Sequence, residues 1–134
     1  MVQNLWRDVD AAAAVAAAGP DPADQLLALR VYTSRLIGRD PELVMHGGGN
    51  TSVKVKRRDL FGAEIDVLHV KGSGWDLDTI EAPGLPGVRL DGLLRLRALE
   101  ALSDEDMVNM QRNKSSGTIM FSPKKSTVDH TIAA

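Results

Sequence analysis

His46-Gly47-Gly48-Gly49-Asn50-Thr51-Ser52 and Lys71-Gly72-Ser73-Gly74 are two small-residue elements that bracket residues 53–70. Between them the apolar period becomes two. From Thr51 to Lys56, Val53 and Val55 alternate with Ser52, Lys54 and Lys56, the pattern of a half-buried strand. From Glu64 to Val70 a second strand carries Ile65 and Val67 on one face and Leu68 and Val70 on the other. Apolar groups on both faces place it deeper in a sheet. The polar connection Arg57 to Gly62 is short, which favours an antiparallel pair. Such a pair brings both glycine elements to one rim.

Helix signals surround this hairpin. Asn4 to Ala18 has high helix propensity and stops at Gly19-Pro20. Asp21 reads as the N-cap of a second helix, with Pro22 at its first position and Asp24 three residues after the cap. Leu26, Leu29, Thr33 and Leu36 predict its buried face, widened by Leu27, Val31 and Ile37, and Gly38 is its stop. Pro83, Gly84, Pro86 and Gly87 predict an irregular stretch. A helix is expected from about Leu90 to Leu102, with Leu96 and Leu99 off its main face and available to a second body. Ser103 and Asp106 predict the start of another helix, ending near Asn113. From Lys114 to Ser126 the pattern is lost, and a last strand is expected at Thr127–Ile132. The fold class read from this order is α/β, in one domain over residues 1–134.

Composition narrows the function. The 134 residues carry 16 Lys+Arg against 18 Asp+Glu, a formal charge of −2. No basic excess serves a broad nucleic-acid surface, although a local anion pocket remains open. Cysteine is absent, so disulfides, thiolate nucleophiles and Cys-containing zinc sites are excluded. No run is long and apolar enough for a membrane span. Ala11–Ala18 follows Arg7, Asp8 and Asp10 and reads as helix rather than signal peptide. A cytoplasmic protein is expected.

The two glycine elements carry the clearest chemistry. Glycines let backbone N–H groups approach a ligand, and successive free N–H groups make an anion nest. Asn50, Ser52 and Ser73 add side-chain donors, and Lys71 a charge. A phosphate or carboxylate is the natural guest. Taken singly, the first element reads equally well as a plain connecting turn, and a single Lys-Gly-Ser-Gly is more commonly a surface turn with a solvated lysine. Three other readings fail on spacing. No Gly-Lys-Ser/Thr closes a P-loop. The dinucleotide fingerprint lacks its third glycine, where Ser52 stands, and leads into a strand. An esterase oxyanion hole would need a Gly-x-Ser-x-Gly elbow, whereas Ser73 has glycines directly on both sides.

Gly49-Asn50-Thr51-Ser52 after a long helix, then a strand pair, then Lys71-Gly72-Ser73-Gly74, resembles the class II aldolase/adducin N-terminal family. Trp75-Asp76-Leu77, Gly84-Leu85-Pro86, Arg89-Leu90-Asp91 and Leu102 to Val108 are similar to one branch of it. That branch is the aldolase half of bifunctional rhamnulose-1-phosphate aldolase/alcohol dehydrogenase proteins. The resemblance covers roughly residues 20 to 113. It implies a layered α/β/α fold with a central, largely antiparallel sheet, incomplete in this chain. It implies zinc-dependent retro-aldol cleavage of a sugar 1-phosphate to dihydroxyacetone phosphate and an aldehyde. Carried over residue by residue, it assigns Gly49, Asn50, Ser52, Ser73 and Gly74 to the substrate phosphate, with Thr51 in a variable slot.

The metal half departs from that pattern. The family carries a catalytic Glu in a Ser-x-Glu segment, a His-x-His pair on a strand and a third His. Val128-Asp129-His130-Thr131 resembles the strand of the pair, which assigns His130 to the metal, but Ile132 stands at the second histidine position. No Glu or Asp occurs from Lys114 to Lys125. One matching histidine falls short of the three protein donors of a catalytic zinc site. His69 is expected to be packed in its strand, and His46 to face solvent. Impaired aldolase chemistry is therefore expected, in a chain altered or truncated after about residue 113. The alternative is a non-catalytic, adducin-like binding or scaffold module. An unrelated α/β domain with plain turns would place the two loops on opposite sides. A small phosphorylated ligand is the expected partner. An incomplete sheet would favour self-association, and the family's tetramers make a homo-oligomer an open expectation.

Overall fold

The computed structural model describes residues 1–99 together with Ser103 and Glu105. The order of elements is α1 (Asp8–Ala18), α2 (Pro22–Gly38), β1 (Ser52–Arg58), β2 (Glu64–Val70), a 3-10 turn at Ala82–Gly84, β3 (Gly87–Arg89) and α3 (Leu90–Leu96). The three strands form one antiparallel sheet in the order β1-β2-β3. The architecture is α/β.

The hairpin follows from its alternation. Val55 pairs with Val67, Val53 with His69 and Arg57 with Ile65, which sets all six on one face. Val55 and Val67 are buried there against Ala23 of α2. The opposite face is polar at the turn end, where the exposed Lys56 Nζ lies 2.8 Å from Asp66 Oδ1. Asp59 closes the turn by accepting from the N–H groups of Phe61 and Ala63, both at 2.9 Å. Leu60 and Phe61 at the tip are 98% and 93% exposed.

Helix α2 starts where its cap demands. The Asp21 carboxylate accepts from Ala23 N, and Pro22 takes the first position. Its buried face lies on the side of the predicted one that carries Leu27, Val31 and Ile37. Ala23, Leu27 and Ser34 are buried, whereas Leu26 is 46% exposed. The face turned because the chain after β2 folds back beneath the helix. Leu77, Ile80 and Leu85 of that segment are buried with Leu27. Arg35 Nε donates to Ile80 O at 2.7 Å and anchors the return. Gly84 is buried there, and a Cβ on it would lie 2.7 Å from the Trp75 ring.

Other boundaries also differ. Helix α1 begins at Asp8 rather than Asn4, because Asn4 to Arg7 bond elsewhere. Trp6 N donates to Asn4 Oδ1, and Arg7 N donates to Tyr32 Oη of α2 at 2.9 Å. Strand β3, Gly87–Arg89, starts inside the stretch predicted to be irregular. Helix α3 ends at Leu96, short of Leu102. The readings at Asp106 to Asn113, at Lys114–Ser126 and at Thr127–Ile132 lie outside the described residues. Among the described residues, no helix is long and apolar enough to cross a membrane.

An internal ion pair ties the layers together. Arg57 Nη1 lies 3.0 Å from Asp24 Oδ1, with the two side chains only 10% and 14% exposed. Arg57 points inward by strand parity, so it needs this partner.

Candidate functional site

Lys71 N donates to Thr51 O at 3.0 Å, extending the β1–β2 ladder one step beyond the Ser52–Val70 pair. Both glycine loops therefore leave the same end of the hairpin. The first is held from below by α2. Ser34 Oγ donates to Arg30 O at 2.6 Å, so its single proton is committed. Thr51 Oγ1, 2.8 Å away, is then the donor to Ser34 Oγ. This is the structural work of Thr51. The second loop is held from its far side, where Gly72 N donates to Gly84 O at 2.8 Å and Val70 N to Pro86 O at 3.1 Å.

Two glycines of the first loop are required by conformation. Gly47 and Gly49 have φ of 75° and 79°. At Gly49 the space is also closed, because a Cβ would sit 2.6 Å from Leu77 Cδ1 and 3.2 Å from Val44 Cγ1. The first loop thus rests on the segment just past the second. Gly74 has φ of 87° but faces open space.

Gly49, Asn50, Ser52, Ser73 and Gly74 are all exposed at this rim. Among the described residues, the backbone N–H groups of Gly49, Asn50, Ser73 and Gly74 have no protein acceptor. Those of Gly48 and Gly72 are already used by Met45 O and Gly84 O. The Lys71 ammonium stands 3.5 Å from Gly72 O, beside the second loop. Free N–H groups, exposed amide and hydroxyl groups and one cation can bind an anion chemically.

The histidines divide sharply. His69 is fully buried. Its Nδ1 lies 2.7 Å from Leu85 O, and its Nε2 lies 3.3 Å from Arg57 Nε. Burial, and secondarily the Arg57 charge, push its pKa below the ordinary value, against the opposing pull of the Leu85 carbonyl and Asp24. With both nitrogens taken, it cannot ligate a metal. His46 is exposed but not isolated, because its Nε2 stands 3.5 Å from Asp76 Oδ2. His130 lies outside the described residues. Among the described residues, no three His, Cys, Asp or Glu side chains converge to hold a metal ion. Among the described residues, these donors do not fit a catalytic zinc.

Two cavities matter. The larger, about 770 Å³, lies between α1 and α2 and does not include the glycine loops. The smaller, about 280 Å³, adjoins the first loop and is lined by His46, Gly47, Asp76, Leu77 and Asp78 among others. Sequence reasoning missed Asp76. The signal was its place two residues beyond Gly74.

This chain is similar to the N-terminal class II aldolase domain of a conserved protein from Thermoplasma acidophilum. The two share 39% identity with a TM-score of 0.65, over 85% of this chain and 47% of that one. The fold is that of a class II aldolase domain. A protein of Bacillus subtilis (strain 168) named "Uncharacterized oxidoreductase YuxG" is 40% identical over 109 residues, which are 81% of this chain and 14% of that protein. The class II aldolase-like chain thus spans less than half of either relative. No family model matches it.

Proposed function

We propose that this class II aldolase-like domain binds the phosphate group of a small phosphorylated ligand between its two glycine loops. Gly49, Asn50, Ser52, Ser73 and Gly74 make the contacts. The observation that carries the reading is the Lys71–Thr51 hydrogen bond of 3.0 Å, which joins the two loops at one strand end. The unused N–H groups of Gly49, Asn50, Ser73 and Gly74 support it. The lineage reaction is retro-aldol cleavage of a sugar 1-phosphate of the rhamnulose-1-phosphate type, giving dihydroxyacetone phosphate and an aldehyde. The likeness to a class II aldolase domain supports that lineage. The small share of an oxidoreductase-named protein supports a place beside a dehydrogenase in a longer chain.

The loops alone hold and orient a phosphate. The non-catalytic, adducin-like module is the second reading, favoured by Ile132 where the resemblance implies a second histidine. Titration calorimetry with inorganic phosphate tests the site. Losing one charge-assisted hydrogen bond costs about 1.5–3 kcal/mol, so Asn50→Ala is expected to weaken binding by roughly 10- to 100-fold. Equal affinity in the native protein and the variant would remove Asn50 from the site. Release of dihydroxyacetone phosphate from rhamnulose 1-phosphate would overturn the non-catalytic reading.

A further inference from the structure

We infer that His69 is a positioning residue for the second glycine loop, its buried ring fixing the place of Ser73 and Gly74 without touching the anion. The inference rests on the phosphate reading above and adds to it an interior residue that sets the affinity of the site. His69 belongs to β2 but is keyed to the segment that returns beneath α2. Successive carbonyls of that segment are spent on the end of β2 and the start of the loop. Gly84 O accepts from Gly72 N at 2.8 Å, Leu85 O lies 2.7 Å from His69 Nδ1, and Pro86 O accepts from Val70 N at 3.1 Å. The imidazole link is the middle one and the shortest. Gly72, fixed by the first link, directly precedes Ser73.

The ring has one way to serve this link. It is fully buried, and Gly87 faces it across the β2–β3 pair so closely that a Cβ there would lie 2.9 Å from its Cε1. Arg57, itself held by Asp24 at 3.0 Å, approaches Nε2 from the other side. A guanidinium has no acceptor to offer, so Nε2 takes its hydrogen bond and leaves the ring proton to Nδ1 and Leu85 O. Among the described residues, no other donor reaches Leu85 O. Leu85 is fully buried, so losing the imidazole donor leaves its carbonyl unsatisfied inside the protein. The segment must then shift to find another donor, and Gly84 O shifts with it. Ser73 and Gly74 have no backbone acceptor of their own among the described residues, so they follow Gly72.

The test uses two amide side chains, each keeping one half of the ring's bonding. The amide of His69→Asn reaches the Nδ1 position and can still donate to Leu85 O. The amide of His69→Gln reaches the Nε2 position and can still accept from Arg57. Titration calorimetry with inorganic phosphate measures affinity, and urea unfolding measures stability. Both variants are expected to be less stable than the native protein. His69→Asn should keep phosphate affinity within about twofold, whereas His69→Gln should lose roughly tenfold, the equivalent of one hydrogen bond. A merely structural role would move affinity alike in both. Equal affinities in the two variants, native-like or weakened, overturn the positioning role alone. Failure of the native protein to bind phosphate overturns the loop reading and this inference with it. If His69→Gln does not fold, His69→Asn decides, since a loss there of about tenfold overturns the role and native-like affinity supports it. Nitrogen NMR shifts of the native imidazole need no variant: the proton is expected on Nδ1, and an Nε2–H ring would overturn the inference.

Discussion

Arg57 Nε and Nη2 stand 3.3 and 3.2 Å from Nε2 of His69, and this arrangement decides where the imidazole proton lies. A guanidinium only donates, so Nε2 accepts and Nδ1 carries the proton to Leu85 O. The ring is neutral, with a cation against one side and burial all around. Protonation would put two positive charges in contact, with Asp24 at 3.0 Å and the more exposed Asp21 at 3.9 Å from Arg57 to offset them.

The sign of the pH dependence follows. The folded pKa of His69 lies below its ordinary value of 6.5. Between those two values the unfolded chain binds the extra proton and the native chain does not. Stability contributed by His69 is therefore fully present above the ordinary value and is lost as pH falls from it towards the folded one. Thermal unfolding scans from pH 7.5 to 5, in steps of roughly half a unit, should show a falling midpoint. His69→Gln should flatten that slope. An unchanged slope in the variant would take His69 out of the account.

Asp24 and Arg57 should be costly to separate. Removing one partner of a buried ion pair leaves the other charge uncompensated, typically costing about 3–5 kcal/mol. Arg57→Met is expected near the lower end of that range, because a small part of each side chain is exposed. Adding Asp24→Leu should recover part of the loss. Urea unfolding of the two single variants and the double variant measures this, and simple additivity would argue against the coupling.

Gly49 and Gly74 should respond differently to alanine. Both have positive φ, which costs an L-residue roughly 1–2 kcal/mol. At Gly74 that is the whole effect, because its Cβ would meet nothing within 4 Å. At Gly49 the new methyl collides with Leu77 and Val44, adding about 1–3 kcal/mol of overpacking. Denaturant midpoints should rank native, Gly74→Ala, Gly49→Ala, in falling order of stability.

Thr51→Val should loosen the first loop. It deletes the donor to Ser34 Oγ, which still keeps Arg30 O as its own acceptor. A loss of about 1 kcal/mol is expected. Faster exchange of the Lys71 amide, which donates to Thr51 O, relative to β2 would report the loosening directly.

Much of this molecule was legible where local chemistry dominates. The Asp21 cap, the Pro22 start and the valine alternation of β1 each express a rule satisfied within a few residues. Gly38 was read as a helix stop, but its lack of a side chain has a tertiary reason. A Cβ there would collide with the backbone at Leu77 and Asp78. The buried face of α2 is legible at Leu27, Val31 and Ile37 but not at Leu26, since nothing nearby foretells that Ile80 and Leu85 return to Leu27. β3 was hidden among Pro86 and Gly87, whose turn-forming character outweighs a three-residue pairing with β2. Gly87 is small there because a Cβ would lie 2.8 Å from Val67 and 2.9 Å from the His69 ring. One signal was available and unused. Arg57 shares its parity with Val53 and Val55, and an inward-facing arginine predicts an acidic partner.

The turn at Leu60 and Phe61 lies at the far end of the hairpin from the glycine loops, about 20 Å away at strand rise. A chymotrypsin-like nick after Phe61 would place Asn50 and Ser73 on separate polypeptides. The register from Ser52–Val70 to Arg58–Glu64, together with the contacts of α2, would still align the two pieces. Exposed tips of this kind are the usual sites for new chain ends. The domain is thereby suited to being split into two complementing fragments, each silent alone, whose reunion rebuilds the rim where both loops meet.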